Sequence, residues 1–187
     1  MPAEITRRRF TIDDCYRMLE IGILRPDERV ELIRGDLIQM SPIGSRHQAA
    51  LIGGTRGLIL AVGDKALVSP QGVVLLDRFS APEPDFALLK PRDDCYANEH
   101  PRPSDILLII EVADSSLEYD TTVKKELYAI VGVLEYWVAD LRNDRVICYS
   151  DPQNDTYHTV REFHRADSIA PILLPDVPLK LDVLLPQ

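Results

Sequence analysis

Apolar positions along this chain change their period several times, and each change predicts an element. Thr11-Ile12-Asp13-Asp14 reads as a helix start, with a carboxylate three residues past a threonine able to reach back, and the helix should end near Gly22. Residues 29–40 alternate around Arg34-Gly35-Asp36, which predicts a hairpin. Ser45-Arg46-His47-Gln48 has capping-box spacing and should open a second helix to about Gly63. Gly53, Gly54 and Gly57 inside it each cost about 1 kcal/mol against alanine, so they point to close packing on another backbone.

Strands are expected over 66–76, 85–89 and 106–112, with an exposed polar, proline-bearing loop over 91–104. A third helix should run from Tyr119 to about Val131, with Lys124, Leu127, Tyr128 and Val131 on one face. Strands at 135–140 and 145–149 follow around an Asn143-Asp144 turn, then short strands near 157–163 and 179–184. Strands mixed with helices predict an α/β or α+β domain with a central sheet.

With 187 residues and 45% hydrophobic content, the chain suits a single domain over 1–187 with a real core. No apolar run reaches membrane-spanning length, and the first residues lack a secretory apolar segment. Cys15, Cys95 and Cys148 are odd in number and never form CxxC, which predicts a reducing, cytoplasmic setting and no zinc knuckle. Thirty acidic residues against 21 basic give a net charge of −9, opposite to the basic face of most nucleic-acid binders. Basic groups gathered on one face, a brief DNA contact or a different partner would each accommodate that charge.

The candidate chemistry lies in acids that end apolar runs. Asp85 follows Pro84 and precedes Phe86-Ala87-Leu88-Leu89, while Glu111 closes Ile106-Leu107-Leu108-Ile109-Ile110. Buried strands side by side would deliver both carboxylates to one place, where Mg²⁺ (or Mn²⁺) could be held and act on a phosphodiester. Each acid alone reads more simply as a solvent-facing strand end; the pair together favours a site. Lys124 shares a helical face with Tyr128 and the apolar residues, so its ammonium is expected among the acids rather than in solvent. Tyr128 is either a contact to that lysine or to a phosphate, or a core residue with a bonded hydroxyl. Glu31 alternates away from Val30 and Leu32, and reads equally as a third acid near the metal or as a surface glutamate. His47, in the first turn of a helix, is either a phosphate or metal-water contact or a structural histidine. There is no GxSxG, GxxxxGK, HExxH or strand-linked GxGxxG.

The ordered set Val30-Glu31-Leu32-Ile33-Arg34-Gly35, Met40-Ser41-Pro42, His47, Pro84-Asp85, Ile110-Glu111-Val112, Tyr119-Asp120, Lys124, Tyr128 and Glu135-Tyr136-Trp137 resembles Uma2-type proteins. These are similar to the PD-(D/E)xK restriction-endonuclease-like nucleases. The resemblance covers about Phe10 to Leu185. It implies a four-stranded mixed sheet flanked by helices, with extra strands from the N-terminal hairpin. It implies Asp85, Glu111 and Glu31 as metal-binding acids, and a catalytic set of these three with Lys124. His47, Asp120 and Tyr128 become phosphate or supporting contacts. Ala113 stands where the nuclease motif expects lysine, and Lys124 on the following helix is the matching residue. The expected activity is Mg²⁺-dependent DNA hydrolysis by a homodimer. The rival expectation is an inactive nuclease fold serving as a nucleic-acid-binding or dimerisation module.

Overall fold

The computed structural model describes residues 7–187. Helix α1 (Ile12–Glu20) is capped as its sequence predicts. The Asp14 amide donates to Thr11 Oγ1 at 3.1 Å, and the Thr11 amide donates to Asp14 Oδ2 at 2.9 Å. Strands β1 (Val30–Ile33) and β2 (Asp36–Gln39) form the hairpin. Its two-residue turn places Arg34 at φ 53° and Gly35 at φ 87°, the left-handed pair that matches strand twist. The hairpin makes its own two-stranded sheet, docked by the Ala81 amide on the Leu32 carbonyl at 2.7 Å.

The main sheet has six strands, in the order β3 (Leu67–Pro70), β4 (Phe86–Leu89), β5 (Ile106–Ala113), β6 (Glu135–Asp140), β7 (Arg145–Gln153) and β8 (Thr156–His164). The sheet thus exceeds the four strands expected. Only β5 and β6 run parallel; the other neighbours are antiparallel. The crossover between that parallel pair is helical: α3 (Leu117–Tyr119), a π turn (Asp120–Lys124) and α4 (Lys125–Ile130). On the other face lies α2 (Ser45–Val62).

Alternation along the strands sorts the core into two layers. Phe86, Leu88, Leu108, Ile110 and Val112 pack with Ala50, Leu58 and Val62 of α2. Ala87, Leu89, Ile109 and Ala113 pack with Leu127 and Tyr128 of α4. Over 86–89 and 108–113 the odd-numbered positions therefore face α4, the parity of Glu111; beyond the register shift at Leu88/Leu89 it reverses, with Ile106 on the α4 side and Leu107 on the α2 side. Of the α2 glycines expected against another backbone, Gly53 meets one, with a Cβ placed 3.0 Å from the Val183 carbonyl; Gly54 and Gly57 instead meet side chains, at 2.6 Å from the Phe86 ring and 2.6 Å from Val183.

Several expectations are corrected. The α2 cap is Gly44, in extended conformation and without a side-chain bond, so Ser45 is helical and no capping box forms. The strand expected over 66–76 stops at Pro70 because Gln71 adopts φ 49°. Val74 and Leu76 are buried without pairing in the main sheet; their amides donate to the Pro82 and Ser80 carbonyls at 3.0 Å. At the C-terminus only β10 (Leu179–Lys180) is extended, pairing with β9 (Ser168–Ile169), and Leu181–Val183 is a 3-10 turn. The expected third helix is interrupted by its π turn, where the Thr121 and Thr122 hydroxyls bond back to the carbonyls of Leu117 and Glu118. No helix among the described residues is long and apolar enough to cross a membrane.

Candidate active site

The register of β4 on β5 pairs Phe86 with Ile110, so one step further Asp85 lies opposite Glu111. The strands interlock there through the acids themselves. The Val112 amide donates to Asp85 Oδ2 at 2.9 Å, and the Asp85 amide donates to Glu111 Oε2 at 3.3 Å. From the crossover helix, the Lys124 ammonium reaches Glu111 Oε1 at 3.0 Å and Glu31 Oε1 at 3.1 Å. Tyr128, one turn on, donates its hydroxyl to Glu111 Oε1 at 3.0 Å. His47 Nε2 stands 2.8 Å from Asp85 Oδ1. Lys125 instead lies over the Tyr149 ring, 5.7 Å from its centroid.

The π turn sets this arrangement. It buries both its ends, Asp120 and Lys124, on the side facing the acids. Single π turns inside α-helices are rare and occur frequently at functional sites. Asp120 is held by the Ser116 hydroxyl at 2.5 Å.

These groups are nearly closed to solvent: Glu31, Glu111 and Asp120 are each 3% exposed, Lys124 5% and Asp85 6%. Burial raises Glu111 well above the carboxylate range, with Lys124 pulling it down and Asp85, Asp120 and Glu31 pushing it further up. Burial likewise pushes Asp120 up to about 6, against the pull of Lys124 and the Ser116 hydroxyl. For Lys124 burial works against the charge, but Glu111, Glu31 and Asp120 outweigh it and hold the ammonium above its ordinary value. Lys124 is thus held charged, while burial keeps Glu111 and Asp120 above the ordinary carboxylate values.

The site opens on a cleft of about 440 Å³. Its lining includes three residues that the pattern of strand-end acids did not single out: Glu83, Ser116 and the Tyr119 ring. Glu83 has its amide on Glu31 Oε1 at 2.8 Å, and its carboxyl is raised by burial and by Glu31. Glu83 lies before β4, which begins at Phe86, so its nearness in sequence to Asp85 was its one signal and strand alternation did not apply. Gln71 was also missed; its Nε2 lies 3.4 Å from Asp85 Oδ1, and nothing in its sequence context marks it.

Among the described residues no group of three or more His, Cys, Asp or Glu side chains stands at metal-ligand spacing. An all-protein cage is therefore absent from this set. The donors do suit a hard divalent ion that keeps most of its water, since such an ion takes one or two carboxylates and ordered solvent. Asp85 and Glu111 supply two such carboxylates to one cleft.

A mixed sheet between helices, with strand-end acids and a helix lysine in one cleft, defines a restriction-endonuclease-like α+β protein. The chain belongs to the Uma2 family, described as "Putative restriction endonuclease", whose pattern matches residues 13–182. Its fold is similar to the crystal structure of "a putative nuclease belonging to DUF820" from Anabaena variabilis, with a TM-score of 0.67. The two share 17% identity over 94% of this chain and 97% of that one. No curated protein matches the chain.

Proposed function

We propose that this protein is a Mg²⁺-dependent (or Mn²⁺-dependent) endonuclease that hydrolyses DNA phosphodiester bonds in the Asp85–Glu111–Lys124 cleft. The observation that carries this reading is the buried Lys124 ammonium, 3.0 Å from Glu111 and 3.1 Å from Glu31, on the side of the sheet that Asp85 and Glu111 share. Asp85 and Glu111 would hold the ion, while Glu31 stands beside them on the Lys124 ammonium. When bound, such an ion neutralises phosphate oxygens and makes water more acidic.

The chain's own groups do the rest. His47 and the Val112 amide orient the Asp85 carboxylate from its two oxygens. Tyr128 and Lys124 both fix Glu111 Oε1. Lys124 keeps a full positive charge at Nζ, where it orients the attacking water or meets the charge developing on phosphorus oxygens. Asp120 and Glu31 keep that lysine in place and protonated.

The test is cleavage of plasmid and oligonucleotide DNA with Mg²⁺ or Mn²⁺, with and without chelator. Asp85→Ala, Glu111→Ala and Lys124→Ala should each lower the rate by about 10²–10³ or more, with folding checked by circular dichroism. Cleavage that survives all three substitutions comes from a contaminant. A folded wild type inactive with every metal and DNA form would replace this reading with the nucleic-acid-binding or dimerisation module.

A further inference from the structure

The depth of the site restricts what can reach it. Asp85, Glu111, Asp120 and Lys124 lie at 3–6% exposure, so a phosphodiester must enter the cleft rather than pass across its mouth. One wall is the 40–44 segment between β2 and α2; the other is the turn at 114–116 after β5. The walls come close at Gly44, where an added Cβ would stand 3.7 Å from Asp114 Oδ2. Duplex DNA is stiff over about 150 bp, and its phosphates sit on a cylinder that cannot fold into such an opening. An unpaired strand carries no such restriction.

Charge points the same way. Proteins that hold a duplex typically neutralise about 6–10 phosphates. Here the net charge is −9, and beside His47 the basic side chains lining the cleft are Arg29 and Lys124. A single strand carries half the charge of a duplex per unit length, and aromatic rings against its bases add to the hold of its basic contacts. Tyr119 offers that ring in the cleft lining. Its hydroxyl is enclosed and has no hydrogen-bond partner among the described residues. A buried donor left unpaired costs free energy, and an oxygen of an entering strand would satisfy it.

We infer that the cleft takes an unpaired DNA strand, which Tyr119 contacts with its ring against a base and its hydroxyl on a strand oxygen. The inference rests on the phosphodiester reading above, and its test separates the two.

Binding is measured first, by fluorescence anisotropy in EDTA, with a short labelled oligonucleotide alone and annealed to its complement. The free strand should bind at least about tenfold tighter than the duplex. Tyr119→Ala should weaken it by about tenfold, the scale of one base–aromatic stack, and Tyr119→Phe, which keeps the ring, should weaken it less. Cleavage follows with Mn²⁺ on a duplex bearing a single-stranded tail, where cuts should map to the tail. Equal binding of duplex and free strand, cuts at paired positions as fast as in the tail, or unchanged affinity in Tyr119→Ala would overturn the inference. If no DNA form is cut, the hydrolase reading falls alone, because the metal-free binding comparison still decides strand preference.

Discussion

Lys124→Met is the substitution that most directly probes the buried cluster. The ammonium is 5% exposed and donates to Glu111 at 3.0 Å and to Glu31 at 3.1 Å. Methionine has similar volume and no charge, so packing is nearly conserved while two buried carboxylates lose their cation. Removing one partner of a buried pair costs about 3–5 kcal/mol, because the remaining charge stays desolvated. For a chain of this size each kcal/mol moves Tm by about 2–4 °C, so a drop of roughly 10 °C is expected. Urea unfolding by circular dichroism gives the free energy, and a cycle with Glu111→Gln isolates the pair. With the glutamine in place, Lys124→Met should cost at least about 1 kcal/mol less, since only Glu31 is then left unpaired. A single-mutant loss below about 1 kcal/mol, or a coupling of zero, would refute the reasoning.

Three further outcomes are expected. Gly54→Ala should destabilise by about 1–3 kcal/mol in thermal melts, because its Cβ would stand 2.6 Å from the Phe86 ring. Asp140 accepts from Asn143 and from Arg145, at 2.7 and 3.0 Å; these bonds outweigh its burial and lower its pKa below the ordinary 3.8. A depressed folded value means stability that is present above pH 3.8 and lost as pH falls through the folded value. Asp140→Asn should therefore be less stable than wild type at pH 7, with the gap closing in strong acid when the two are unfolded side by side. If Asp85 and Glu111 hold a divalent ion, Mg²⁺ or Mn²⁺ should raise Tm of the wild type, chelation should reverse it, and Asp85→Ala should abolish the rise.

The sequence by itself determined most of the elements and the layer they form. Unbroken apolar runs around 86–89 and 106–110 identify central strands, because both faces of such strands are buried. Parity alone does not put Asp85 and Glu111 on one side, since on β6 the even-numbered Tyr136 and Val138 share the face of Ile109 on β5. The Thr11 cap and the hairpin turn were equally legible, since each depends on a few neighbouring residues. Tertiary structure decided the rest. That β4 and β5 are adjacent, with Asp85 opposite Glu111, is a matter of long-range register that no local pattern encodes. The apolar residues after Pro70 read as strand because burial and pairing produce the same composition; only the fold shows that Val74 and Leu76 are buried without pairing in the main sheet. Glu31 could not be separated from a surface glutamate, since its burial depends on the hairpin docking against 81–83 and on a lysine 93 residues away. The π turn that points Asp120 and Lys124 into the cleft is likewise a compromise between hydroxyls bonding back along the helix and charges drawn to the sheet, a balance struck only once both are in place.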